Sequence, residues 1–250
     1  MSSAIMKMIH SALAKLGYRL VKIEGRPGAN DALSVFFSFL RARGFQPRHI
    51  VDVGANHGNW TRVATRFFPH AQYTLVEPQD FLKTHVQDLI DGGYKLRWIN
   101  AGAGDADGEL PFTLAVRDDS STFAMTEDEA RRAGVHQILV EVKTLNGIVK
   151  SAGLPADMVK VDAEGLDLRV LAGASELFGQ TEIFLVEVNV RDKHRENTLE
   201  RTLKFMTERG YHLLEITDLN HSPKYGLLWL CEMAFLRNDS QLLSEVTSYE

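Results

Sequence analysis

The segment Val51-Asp-Val-Gly-Ala-Asn-His-Gly58 constrains this chain of 250 residues more than any other. Ile50 to Val53 is a short run rich in β-branched residues, the mark of a strand buried on both faces. The glycines that follow supply a turn. The stretch beyond them reads as a helix to about Phe68, stopped by Pro69. A strand feeding a helix through a glycine turn is the opening unit of a parallel α/β sheet, and such sheets bind ligands at their carboxyl edge. Gly54 lets the chain turn tightly and lets a ligand approach the backbone. Gly58 opens a helix whose free N–H groups suit a carboxylate, and Asn56 lies in the turn between them. Asp52, at the strand end, is placed to accept from an ammonium group, directly or through water.

The rest of the chain repeats this rhythm. Strands are expected at 73–76, 96–100, 158–162 and 183–188, with helices at 81–90, 166–178 and 196–209 between them. Alternation of this kind implies right-handed parallel βαβ units. The final strands, 211–216 and 227–235, are joined by a loop without a helix, so they pair antiparallel. The expected fold is a doubly wound α/β domain: a mostly parallel seven-stranded sheet with an antiparallel last strand and an N-terminal helical extension. Residues 1–47 form that extension, 48–238 the main domain and 239–250 a tail. Strands at 109–116 and 138–143 mark an insertion over 109–143, and a short helix is expected at 145–152. The polar segment 117–136 reads either as a lid or as a solvated loop.

Glu77 ends the second strand, 25 residues beyond Asp52. The acid that grips ribose hydroxyls in such folds lies about 20 residues on. The dinucleotide pattern of three glycines is absent, because Asn56 and Asn59 stand where two of them would be, and there is no phosphate-binding lysine motif. Pyrophosphate is therefore disfavoured, and adenosine with an amino-acid tail is favoured. A purely structural turn would explain the glycines but not Glu77.

The opening motif resembles that of the FkbM-type methyltransferases. So does Val159-Lys-Val-Asp-Ala-Glu-Gly165, continuing to Val170-Leu-Ala-Gly-Ala174. Phe184-Leu-Val-Glu-Val188 and Asp105-Ala-Asp-Gly-Glu-Leu-Pro-Phe112 are looser matches. Together they span about residues 48 to 235. The resemblance implies a Rossmann-like, S-adenosylmethionine-dependent O-methyltransferase acting on a hydroxyl of a sugar, glycan or secondary metabolite. His57 and Ala163 depart from the family's usual apolar and β-branched residues, beside the site.

Two strand-end acids, Asp162 and Glu187, are the candidate catalytic residues, and Asp162 is also a candidate cofactor contact. Glu164 reads equally well as a helix cap. Asp162, Glu187 and Asn189 together form an oxygen-donor set that would suit Mg²⁺ if a metal takes part. Asn100, Ala101 and Gly102 follow the third strand and are candidates to touch the adenine, a plain turn being the alternative. No histidine pair has zinc-site spacing, and no nucleophile elbow occurs.

The net charge of −5 argues against nucleic acid as the main partner. The Asn/Asp-Pro-Pro-aromatic loop typical of exocyclic-amine methylation is missing. A nucleic-acid or protein acceptor and a non-catalytic cofactor-binding partner are the remaining alternatives. Cys231, the one cysteine, lies in an apolar run and reads as a buried strand thiol, compatible with a reducing cytoplasm. No stretch is apolar enough to span a membrane. A basic amphipathic helix at 3–16 suits docking on the protein itself or a homodimer better than peripheral membrane contact.

Overall fold

The computed structural model describes residues 32–115, 121–123, 125–191 and 195–246. The helix expected at 3–16 lies outside them. The first described element is α1 (Ala32–Ala42), followed by β1 (His49–Val53), α2 (Asn59–Phe67) and β2 (Gln72–Val76). The expected helix at 81–90 is a 3₁₀ turn, Asp80–Val86, running into α3 (Gln87–Asp91). Next come β3 (Lys95–Ile99), β4 (Gly102–Gly104), β5 (Gly108–Leu114), α4 (Glu127–Ala133), β6 (His136–Thr144) and α5 (Leu145–Ala152). The chain closes with β7 (Met158–Val161), α6 (Asp167–Ala172), β8 (Ile183–Asn189), α7 (Leu199–Thr207), β9 (Tyr211–His221) and β10 (Leu228–Arg237).

Seven strands form one sheet in the order β3-β2-β1-β7-β8-β10-β9. Only β10 runs against the others, antiparallel to both β8 and β9. This is the expected doubly wound sheet. Its strand order reverses between β1 and β7, so a crevice opens at the carboxyl ends of those two strands. β4, β6 and β5 form a separate three-stranded sheet. The sequence pattern marks no strand at β4. Its Gly-Ala-Gly sequence has no side-chain alternation to betray a strand.

Apolar layers cover both faces of the large sheet. On one face Leu145, Ile148, Val170, Leu171 and Met206, from α5, α6 and α7, pack against the sheet. On the other, α1, α2 and α3 contribute Phe37, Leu40, Ala64 and Leu89. Phe37 is fully buried, with its ring 5.5 Å from Trp60, 5.7 Å from Phe67 and 5.4 Å from Phe68. Thus α1 is part of the domain core. Gly173 ties the small sheet to the large one. A Cβ there would lie 2.1 Å from the Gly104 carbonyl oxygen, so only glycine lets the end of α6 rest on β4. Among the described residues, no helix is long and apolar enough to cross a membrane.

Candidate active site

The crevice at the strand reversal is a cleft of about 980 Å³. Of the residues singled out in the sequence, Gly54, Asn56, Glu77, Ala101, Gly102, Asp162 and Glu187 line it, whereas Asp52, Gly58, Asn100 and Asn189 do not.

The β1–α2 turn begins with Gly54 at φ +70°, and its missing Cβ would fall 1.8 Å from the Asp162 carbonyl oxygen. The close backbone approach expected of a ligand at Gly54 is made on that side by the chain's own β7 end. Asn56 sits at φ +46°, and its Oδ1 accepts from the His57 amide at 2.8 Å. Gly58 enters α2 with φ +73°.

Glu77 is buried. Its Oε2 accepts from the Asn56 amide at 3.0 Å and its Oε1 from the Gln79 amide at 3.0 Å. Burial raises its pKa, and these donors oppose the rise. Gln79 Nε2 also donates to Oε1, at 3.3 Å. Of a carboxylate's roughly four acceptor positions one is open to a hydroxyl, and a second opens when the Gln79 side chain turns away. Asn100 donates from Nδ2 to the carbonyls of Pro78 and Glu77, at 3.0 and 3.3 Å, and so braces the chain after β2 from outside the cleft.

Asp52 is fully buried behind the turn, where its Oδ2 accepts from Thr61 Oγ1 at 2.6 Å. Its partner is Lys160, which lies opposite it in the β1–β7 register. Lys160 Nζ is 3.4 Å from Asp52 Oδ1 and 3.2 Å from Asp162 Oδ2, and it donates to the Gly54 carbonyl at 3.2 Å. Burial disfavours the charged lysine, but Asp162, Asp52 and Glu232 outweigh it, and the net effect raises the lysine pKa. Asp162 Oδ1 is buried without a hydrogen-bond partner. That orphaned acceptor in the cleft wall fits an ammonium donor. Sequence pattern does not single out Lys160, because a lone lysine within an apolar strand carries no pattern of its own.

The β7–α6 turn is acidic. Asp167 accepts from the amides of Ala163 and Gly165 and from Asn197 Nδ2, and burial pushes it up to about 7. Glu164 stands at φ +49°. Burial and the neighbouring acids Asp162 and Asp167 push it up to about 8. Glu187 lies on the adjacent strand, where burial first, and then Asp162, Asp167 and Glu164, push it up to about 10. Asn189 turns to Asn197, with Nδ2 3.1 Å from its Oδ1. The conditional metal set of Asp162, Glu187 and Asn189 is therefore not brought together as a ligand group. Among the described residues, no three His, Cys, Asp or Glu side chains are grouped to hold a metal ion.

Residues 121–123, within the segment read as lid or loop, reach the cleft. Ser121 Oγ is 3.2 Å from Gln79 Oε1, and Thr122 Oγ1 donates to the Glu164 carbonyl at 2.7 Å. Phe123 packs on Phe112, ring centroids 4.6 Å apart, beside Gly102. The far end of the cleft is built by the β9–β10 hairpin, with Asp218, Asn220, Tyr225, Trp229 and Glu232 in its wall. Cys231 is buried in β10, as expected, and its thiol is pushed up to about 11 by that burial.

Residues 52–213 match the family model described as the methyltransferase FkbM domain. No curated protein matches the sequence. Solved structures of similar shape include a precorrin-6y C5,15-methyltransferase from Geobacter metallireducens, at 12% identity and TM-score 0.45, over 87% of this chain and 93% of that one. Another is a 1,6-didemethyltoxoflavin-N1-methyltransferase from Burkholderia thailandensis, at 15% and 0.44, over 95% and 87%. A third is an rRNA methylase from Streptococcus thermophilus, at 10% and 0.48, over 84% and 99%. These are distant likenesses and identify no substrate.

Proposed function

The chain belongs to the FkbM methyltransferase domain family, and on that premise we propose that it transfers a methyl group from S-adenosylmethionine to a hydroxyl of a small-molecule or glycan acceptor. The observation that carries this reading is the continuity of the cleft. One end offers Glu77 and the small residues Ala101 and Gly102, and the other a carboxylate-lined chamber under the β9–β10 hairpin.

At the first end Glu77 accepts from the ribose hydroxyls. Ala101, Gly102, Phe112 and Phe123 give that end an apolar wall against which the purine rests. Asp162 Oδ1 accepts from the amino-acid ammonium, while Oδ2 is held by Lys160. Asp52 acts one layer behind, fixing Lys160. When bound, S-adenosylmethionine supplies a methyl group activated on a sulfonium. The protein aligns the hydroxyl and removes its proton. Asp162 and Glu187 are the residues assigned to the reacting centre, with Glu187 nearer the acceptor chamber. The carboxylates favour a neutral or cationic acceptor over a phosphate backbone.

The test is incubation with methyl-labelled S-adenosylmethionine and a panel of hydroxylated acceptors. Label in an alkali-stable methyl ether, reduced in Glu187→Gln, supports O-methylation. Label recovered only on nitrogen, or in nucleic acid, overturns the acceptor assignment.

A further inference from the structure

Strand pairing sets four carboxylates in a row across the cleft. Asp162 follows Val161, which pairs with Val186 just before Glu187. Glu187 is paired directly with Glu232 on β10, and Glu232 with Asp218 on β9. Opposed residues of an antiparallel pair project to the same face, and all four acids line the cleft. Like charges directly opposed across a sheet are destabilising, so Glu187 beside Glu232 needs a reason.

The surroundings are short of positive charge. Glu187 faces Asp162, Asp167, Glu164 and Lys160. Glu232 faces Lys160, Asp162 and Asp218, and its Oε1 accepts from Thr217 Oγ1 at 2.5 Å. Lys160, the cation common to both, is already engaged by Asp52 and Asp162. Glu232 is 9% exposed, so water does little to screen it.

We propose that Glu187 and Glu232 form a cross-strand carboxyl pair that gives up a proton when a sulfonium cation is bound beside it, so that the cleft distinguishes S-adenosylmethionine from the neutral thioether S-adenosylhomocysteine by charge. This rests on the cofactor reading above and adds Glu232 to the residues that serve it. A half-buried and a buried carboxyl directly opposed on paired strands, with Asp162 beside both, resist ionising together. Burial pushes Glu187 up to about 10 and Glu232 up to about 7. A nearby cation favours the ionised form. The carboxyl O–H then breaks, its electron pair stays on oxygen, and the proton leaves to the buffer.

Methyl transfer closes the cycle. The hydroxyl O–H breaks and its proton goes to the carboxylate exposed by the cation. The oxygen forms its bond to the methyl carbon as the carbon–sulfur bond breaks, and that electron pair goes to sulfur. The sulfonium charge disappears as the carboxyl pair regains its proton, so the product has lost the interaction that favoured the reagent.

The test is titration calorimetry of the full chain near pH 7 with S-adenosylmethionine and with S-adenosylhomocysteine, each in two buffers of different ionisation enthalpy. The expected result is release of about one proton per S-adenosylmethionine and markedly less with S-adenosylhomocysteine, the linkage following from bound-proton differences. Glu232→Gln, which keeps size and hydrogen bonding, should cut that difference by at least about half. Glu187→Gln provides the same test if the first variant does not fold. Equal proton counts for the two ligands, or a difference unchanged in the folded variants, overturns the inference while leaving the cofactor reading intact. Binding of neither ligand overturns that reading, and this inference with it.

Discussion

Gly54 and Asp162 touch through backbone: a Cβ on Gly54 would lie 1.8 Å from the Asp162 carbonyl oxygen. The two strand ends that flank the reversal therefore meet without a side chain between them, and the cleft floor is set by that contact. Gly54→Ala should destabilise the fold by more than about 1 kcal/mol because φ is +70°. Overpacking should add about 1–3 kcal/mol. Thermal unfolding checks it, at roughly 2–4 °C per kcal/mol for a chain of this size. A variant melting with the wild type would contradict the contact.

Lys160 holds Asp52 and Asp162 from one buried position. Lys160→Met should cost about 3–5 kcal/mol, since it leaves buried charge unpaired. Denaturant unfolding measures this. Adding Asp52→Asn should restore part of the loss, because neighbours sharing one network are not additive. A loss undiminished in the double variant would show that Asp52 is not what the lysine neutralises.

Stability should fall as pH rises from about 5 to about 8. Glu164 and Asp167 are pushed up to about 8 and about 7, above the ordinary carboxylate range. The folded chain holds their protons after the unfolded chain has lost them. Their contribution is full below the unfolded pKa and is lost as pH passes through the folded one. A group wholly protonated folded and wholly ionised unfolded gives a slope of about 1.4 kcal/mol per pH unit. Urea midpoints across this range test the sign, and Glu164→Gln should flatten the upper part. A stability that rises over this window would contradict the burial of these acids.

Phe37→Ala should cost about 3–5 kcal/mol, because the ring is fully buried against Trp60, Phe67 and Phe68. A denaturation midpoint close to wild type would mean that α1 is not part of the core.

Much of the frame could be read from local pattern. β1 and β8 are strands rich in β-branched and apolar residues, and α5 is legible at both ends because Thr144 caps it and Gly153 ends it. βα alternation leaves few topologies, and the structure selects among them the order β3-β2-β1-β7-β8-β10-β9. What stayed hidden depends on pairing between distant strands. Nothing near Lys160 in the chain announces Asp52; the β1–β7 register does. Glu232 looks like an interruption in an apolar strand until β10 lies beside Glu187. Asp52 and Asn100 were placed at the right strand ends, but their side chains turn to Lys160 and to the Pro78 carbonyl. Strand-end position alone does not say which way a side chain faces.

The most direct test of the account is whether Glu77 grips the ribose of a sulfur nucleoside. Calorimetry with S-adenosylhomocysteine, S-adenosylmethionine and NAD, on wild type and Glu77→Ala, decides it. The account predicts that both sulfur ligands bind and NAD does not. It also predicts that Glu77→Ala weakens binding by tenfold or more, as each charge-assisted hydrogen bond is worth about 1.5–3 kcal/mol. No heat with either sulfur ligand on the folded wild type, or undiminished affinity in Glu77→Ala, would contradict it.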